Sequence, residues 1–231
     1  MLSIIIPTYN EKKNLAELAD RLKNAAPEAE IIIIDDNSPD GTGEFARHLG
    51  LKVLIRPEQT GLASAVLEGF KLARGDILCV MDADLSHPPE ILPEMLRLIK
   101  SGSAELVVGS RLVAGGGQAD WSFARRALSD LARWPARFLT DVKDVTSGFF
   151  MVKRAAIEGI KINPIGYKIL LEILAKGKYN KAVEVPIIFA DRSGSKSKMG
   201  MRATGEYLLQ LTMLYGDKLL GKLKERGKKN G

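Results

Sequence analysis

The chain has 231 residues, 45% hydrophobic and 27% charged, which is enough to bury one large core and too apolar for wholesale disorder. Its formal charge of +6 sits at one end: Lys196 to Gly231 holds nine Lys or Arg against three Asp or Glu, which alone accounts for the excess. That placement argues against a general nucleic-acid coat and leaves a local basic site, a tail that meets an anionic surface, or a merely solubilising end. With one cysteine, Cys79, no internal disulfide can form, and with His48 and His87 as the only histidines there is little material for zinc or thiol chemistry.

The elements follow in chain order. Leu2 to Pro7 is an apolar strand, followed by the loop Thr8-Tyr9-Asn10-Glu11 and by helical spacing from Asn14 to Ala26 through Leu15, Leu18, Ala19 and Leu22. Ile31 to Ile34 is a second strand that runs into Asp35-Asp36-Asn37-Ser38-Pro39-Asp40-Gly41-Thr42, and Val53 to Arg56 is a third. Gly61 to Ala73 is helical, and Ile77 to Met81 is a fourth strand, uncharged throughout, as in a parallel sheet covered on both faces. A helix carrying Leu96, Leu98 and Ile99 comes next, then a fifth strand, Leu106 to Arg111. This alternation predicts an α/β fold with a doubly wound, mostly parallel, Rossmann-like sheet.

After Arg111 the alternation lapses. A glycine-rich run, Ala114 to Gln118, leads to an expected helix from about Trp121 to Leu139, with Arg125, Ser129 and Arg133 spaced four apart on one face. Thr146 to Val152 reads as a strand, Tyr167 to Ala175 as a helix, and Ala182 to Phe189, interrupted by Pro186, as an edge strand. A basic, turn-rich loop from Asp191 to Gly200 precedes a final helix, about Arg202 to Lys224, with Glu206, Gln210, Asp217 and Lys224 along a narrow polar stripe. No run of about 18 to 20 apolar residues is present to span a bilayer, and no signal peptide precedes the first strand.

The fourth strand ends in Asp82-Ala83-Asp84-Leu85-Ser86-His87-Pro88-Pro89-Glu90. In open α/β sheets, ligands bind outside the strands' carboxyl ends. Two carboxylates one residue apart on such a turn suit a hard divalent cation that keeps waters and takes diphosphate oxygens, or they are an ordinary turn and helix cap. No Gly-x-Gly-x-x-Gly opens the first helix, and no phosphate-binding Gly-Lys-Ser/Thr loop is present.

Three ordered motifs, Ile6-Pro7-Thr8-Tyr9-Asn10-Glu11, Ile34-Asp35-Asp36-Asn37-Ser38-Pro39-Asp40-Gly41-Thr42 and Asp82-Ala83-Asp84-Leu85-Ser86-His87-Pro88-Pro89, resemble the large inverting glycosyltransferase family with the GT-A fold. Within that family the likeness is to dolichyl-phosphate mannose synthases and their polyprenyl-phosphate relatives, from about Ser3 to Gly200. The resemblance implies that residues 1–200 form the GT-A domain and 201–231 an amphipathic helix with a basic tail. It assigns Pro7, Tyr9, Glu11, Ile34 and Asp36 to the nucleoside, Asp82 and Ala83 to the sugar nucleotide, and Asp84 with Ser86 to Mg2+ or Mn2+. It gives Arg111, Arg192 and Lys198 to the donor phosphates and Arg125 and Ser129 to the acceptor phosphate, with Asp84, Arg125, Arg192 and Lys198 serving the catalysed step.

The activity so implied is inverting transfer of a hexosyl group, mannosyl from GDP-mannose foremost, to a polyprenyl or dolichyl phosphate. The alternatives are UDP-glucose or another donor, a non-lipid acceptor, or a catalytically silent nucleotide-binding subunit. Gln59, Phe150 and Lys196 stand where relatives usually have Lys, Arg and Glu, which bears on the acceptor side. The expected location is peripheral, on the cytoplasmic face of a membrane, with the final helix in the interface or joined to a membrane-anchoring subunit.

Overall fold

The computed structural model describes residues 1–58, 61–118, 134–163, 168–189 and 201–229, the last helix by its backbone alone at 201–204 and 220–229. Among these, one sheet is formed by β1 (Leu2–Thr8), β2 (Glu30–Asp35), β3 (Lys52–Ile55), β4 (Ile77–Val80), β5 (Leu106–Ser110), β7 (Phe150–Lys153) and β8 (Ala182–Pro186). A small parallel pair, β6 (Gly117–Gln118) and β9 (Ile188–Phe189), stands beside it. The spatial order is β3-β2-β1-β4-β7-β5-β8, with neighbours parallel except at β7, which runs antiparallel between β4 and β5. The helices are α1 (Lys12–Ala25), α2 (Thr42–His48), α3 (Leu62–Leu72), α4 (Leu92–Lys100), α5 (Arg154–Ile157), α6 (Ile169–Lys176) and α7 (Met201–Lys229).

The continuous apolar runs have a simple cause. Alternate residues of each strand point to opposite faces, and both faces are covered. Ile5, Ile32, Ile34, Leu78 and Val80 pack in one layer with α3, α6 and α7 residues such as Val66, Leu170 and Leu211. Ile4, Ile6, Ile33, Cys79 and Met81 pack in the other with Leu15 and Leu18 of α1 and Met95 of α4.

Four features depart from expectation. Helix α2 has no apolar periodicity, because it lies flush on the sheet through small residues: a Cβ on Gly43 would stand 2.8 Å from Ile55 and 3.0 Å from Asp35 Oδ2. The strand expected from Thr146 begins only at Phe150, since the Ser147 hydroxyl first closes a turn, donating to Gly109 O at 2.7 Å and accepting from Phe149 N at 3.1 Å. Of the helix expected over Trp121 to Leu139, Trp134–Phe138 is a 3-10 turn and residues up to 133 lie outside the described set. Last, the polar stripe of α7 turns inward at one of its members: Gln210 is buried and donates to Lys168 O at 3.2 Å, while Asp217 stays exposed and pairs with Lys176 at 3.2 Å.

Candidate active site

Because β1, β2 and β4 are parallel neighbours, the loops that leave them meet at one edge of the sheet. The first two loops are laced together. Three successive amides, Asn10 N, Glu11 N and Lys12 N, donate to Ser38 Oγ at 3.0 Å, Thr42 Oγ1 at 3.0 Å and Asp40 Oδ2 at 3.2 Å. Two of these, Glu11 N at the N-cap and Lys12 N at the first helical position, are among the amides left orphaned at any helix N-terminus and are here satisfied by the β2–α2 loop. Asn10 and Asn37 take the left-handed backbone, at φ 60° and 52°, which asparagine tolerates.

The adjacent carboxylates of this loop do different work. Asp35 is inside the lacing, accepting from Thr8 Oγ1 at 2.8 Å, Ser38 N at 2.9 Å and Ser38 Oγ at 2.6 Å. Asp36 pairs instead with Arg56, just past β3, whose Nε and Nη2 both donate to Oδ1. Asp36 Oδ2 takes no hydrogen bond among the described residues. Arg56 is in turn tied to Ser64 Oγ at 2.7 Å and Gly61 O at 3.1 Å at the start of α3. Burial pushes the Asp36 carboxyl up from its ordinary value, against the pull of Arg56. Pro7, Tyr9 and Glu11 stand half-buried on the same edge. Ile34 differs: its side chain is wholly in the core, so only its main chain can meet a ligand.

The β4 loop is closed on itself. Ser86 N and Oγ both donate to Asp84 Oδ1, at 3.1 and 2.5 Å, so the hydroxyl expected to ligate an ion is here a partner of the carboxylate. The Asp82 amide donates to His87 Nδ1 at 3.1 Å, and Leu85 between them is left-handed at φ 63°. His87 is buried, stacked on Phe149 at 5.3 Å and met edge-on by Phe189 at 5.5 Å. Burial lowers its pKa, Asp82 and Asp84 opposing. An accepting Nδ1 makes the ring neutral with its proton on Nε2, so its 3.8 Å approach to Asp82 Oδ2 is not an ion pair. Opposite, a Cβ on Gly148 would lie 3.1 Å from both Asp82 Oδ2 and His87 Cε1, so a larger residue in this wall would have to displace one of them by a few tenths of an ångström.

That wall comes from the antiparallel strand. Phe150 pairs with Val80, so the turn before β7 reaches the edge from which the β4 loop leaves. Fully buried Asp144 accepts from Arg111 Nε at 2.8 Å and Nη2 at 2.7 Å, and the guanidinium lies 5.4 Å over the Phe189 ring. Arg111, expected as a phosphate-binding cation, is therefore first the partner of a buried carboxylate. Phe150 is also buried, within the sheet core. Arg125, Ser129, Arg192 and Lys198, together with Gln59 and Lys196, lie outside the described residues. Arg56 and Asp144 were not singled out as site residues from sequence. Their signal was opposite charges at the carboxyl edge, Asp36 beside Arg56 and Arg111 beside Asp144.

The carboxylates Asp82 and Asp84 offer oxygen donors only, and no group of three or more His, Cys, Asp or Glu that could enclose an ion occurs among the described residues. So sparse a set fits a hard cation that completes its shell with water and diphosphate oxygens.

Known proteins resemble this chain in sequence and in fold. In Dolichol-phosphate mannosyltransferase of Pyrococcus furiosus, 46% of 223 residues are identical, over 92% of this chain, which spans only 63% of that relative's length. The Saccharomyces cerevisiae protein of the same name is 39% identical over 92% of this chain and 86% of its own length. Polyprenol monophosphomannose synthase of Mycolicibacterium smegmatis is 39% identical over 85% of this chain and 80% of its own length. Among solved structures, glucosyl-3-phosphoglycerate synthase from Mycobacterium tuberculosis with Mn2+, UDP-glucose and phosphoglyceric acid superposes with a TM-score of 0.72 at 17% identity, over 94% of this chain and 80% of that one. A mannosyltransferase from Pyrobaculum calidifontis with GDP-Man and Mn2+ gives 0.60 at 18% identity, over 85% and 58%. These likenesses show the GT-A fold. The Glycosyl transferase family 2 model matches residues 3–160, from the first strand past the turn that walls Asp82, and the chain belongs to that family.

Proposed function

We propose that the chain transfers a mannosyl group from GDP-mannose to a polyprenyl monophosphate, with inversion at the anomeric carbon. One observation carries the proposal: the Asp36–Arg56 pair and the Asp82–Asp84 loop share a sheet edge in a chain 46% identical to a Dolichol-phosphate mannosyltransferase. Asp36 offers Oδ2 to a ring N–H of the base, with Tyr9 on the base's face and Glu11 nearby. Asp82, Ala83 and Asp84 meet the sugar diphosphate. Mg2+ or Mn2+, held through Asp84 beside Asp82, would offset the charge that builds on the departing diphosphate. Arg192 and Lys198 add to that compensation, and Arg125 and Ser129 hold the acceptor phosphate.

A phosphate monoester is already anionic near neutral pH, so the acceptor needs positioning and no general base. The test is an assay of the purified protein with Mn2+, GDP-mannose or UDP-glucose, and either a short polyprenyl phosphate or a sugar hydroxyl acceptor. Mannosyl phospholipid is expected. Preferred transfer from UDP-glucose, preferred use of the hydroxyl acceptor, or donor hydrolysis without transfer would each refute the reading.

The lipid acceptor also gives α7 a role. Tyr207, Leu211 and Leu214 face the core, whereas Leu208, Leu209, Met213, Tyr215 and Leu219 are exposed. Beside them Trp134 and Phe138 are exposed on the 3-10 turn, tied to α7 by Tyr215 Oη to Pro135 O at 2.5 Å and Lys218 Nζ to Phe138 O at 2.6 Å. A helix that buries one apolar face and leaves leucines exposed on the other departs from the usual surface pattern. No described helix is long and apolar enough to cross a membrane. This face, next to the chain's basic end, lies on the surface of an anionic bilayer on the cytoplasmic side, where the acceptor is presented.

A further inference from the structure

We propose that His87 is the positioning residue of the acidic loop: its Nδ1, by accepting the Asp82 amide, fixes the backbone from which Asp82 and Asp84 project. The proposal rests on reading those carboxylates as the cation and diphosphate site.

A histidine next to two aspartates invites two other roles, ion ligand or proton carrier. The geometry argues against both. The Nδ1 lone pair is taken by the Asp82 N–H at 3.1 Å. The ring cannot swing away, being 2% exposed and held by Phe149 at 5.3 Å and Phe189 at 5.5 Å. Pro88 restricts the His87 backbone to extended conformations, which sets where the ring begins. The imidazole therefore supplies one acceptor, at one point, on a ring locked from both sides.

That point is where the loop needs it. The His87 bond ties the last residue before the turn to the last residue after it, and within the closed segment Ser86 fixes Asp84 and Leu85 takes φ 63°. Without the bond, the half-buried Asp82 amide loses the acceptor that holds it in place, and the loop is free to relax. The two carboxylates then lose their spacing, which a cation sharing ligands with a diphosphate reads directly. The ring adds a second constraint, because Phe189, packed on it, also lies under Arg111 and stands three residues before Arg192.

Two substitutions separate acceptor from ring. His87→Asn keeps an acceptor near the Nδ1 position and loses the ring, while His87→Phe keeps the ring and loses the acceptor. Mn2+ uptake in the presence of GDP is read by electron paramagnetic resonance, with melting as the folding control. His87→Phe should bind Mn2+ about 10–100-fold more weakly and His87→Asn should stay within about threefold of wild type. Equal losses, or a greater loss in His87→Asn, would overturn the proposal in favour of ring packing.

Wild-type protein that takes up no Mn2+ with GDP would overturn the site reading itself, a different failure. An independent measurement needs no variant. In protein labelled with 15N-histidine, exposed His48 is the only other signal, and His87 should show a bare Nδ1 and a protonated Nε2 at neutral pH. A proton on Nδ1 would refute the bond. Should His87→Phe not fold, the tautomer and His87→Asn decide: a bare Nδ1 with retained affinity supports the role, and lost affinity in the folded Asn variant overturns it.

Discussion

Removing the Asp144 carboxylate is the most severe test of the turn that walls the site. Asp144 is fully buried, and it accepts Arg111 through three bonds: the amide at 3.1 Å and Nε at 2.8 Å on one oxygen, and Nη2 at 2.7 Å on the other. The Arg111 side chain is 12% exposed, so water replaces little of what it would lose. Breaking a buried pair by deleting one member costs about 3–5 kcal/mol, because the remaining charge stays desolvated. In a domain of this size each kcal/mol lowers Tm by about 2–4 °C, so Asp144→Ala should melt roughly 6–20 °C below wild type. Urea unfolding of Asp144→Leu, Arg111→Met and the double variant Asp144→Leu/Arg111→Met completes a cycle. The double variant should recover much of the loss, since apolar residues of similar volume often replace a buried pair at little cost. Asp144→Ala within about 1 kcal/mol of wild type, or a double variant as unstable as the sum of the singles, would refute the reasoning.

Glu30 should make stability acid-sensitive. Burial alone would raise its carboxyl, but bonds from the Arg74 amide, Lys52 and Ser3 bring it from 4.5 to about 2. Its contribution is therefore complete above the ordinary value and lost as pH falls towards the folded one. The stability gap between wild type and Glu30→Gln should be constant near neutrality and close across that window; a gap that persists below it would contradict the assignment. EDTA and Asp84→Ala should each abolish turnover and Mn2+ binding, and a fully active variant in EDTA would remove the cation from the mechanism. Arg192→Ala should lose far more turnover than Asp191→Asn, and the rate should not fall in mild acid as for a single carboxylate base; a large loss in Asp191→Asn with donor binding intact would favour a hydroxyl acceptor. Leu208→Ser with Leu219→Ser should weaken binding to anionic vesicles and leave melting unchanged, because both side chains are already exposed. Unaltered vesicle binding would return this face to another role.

How much was legible follows from what each signal depends on. Strands β1, β2, β4 and β5 were readable because burial on both faces leaves unbroken apolar runs, and the acidic loops because they follow those runs directly. Helix α2 was not, since close packing on the sheet demanded Gly43 and Ala46 in place of large apolar residues. The Arg56–Asp36 and Arg111–Asp144 pairs span 20 and 33 residues, so only the sheet order brings them together. The outward leucines of α7 were legible as amphipathicity, but which face met the domain was not, because Gln210 buries itself by finding the Lys168 carbonyl.

The antiparallel strand also bears on how the chain assembles. Strands β1 to β4 are contiguous in space and complete by Val80, so they can pair as soon as they are made. Strand β5 cannot join them, because its place beside β4 is held by β7, which begins only at Phe150. Until then the inner edge of β4, four fully apolar residues, has unsatisfied amides and carbonyls, an edge of the kind that templates aggregation. During synthesis the interval between Val80 and Lys153 is thus the vulnerable stage, and a ribosome paused within it would display a sticky half-sheet that the arrival of one strand both seals and joins to the rest.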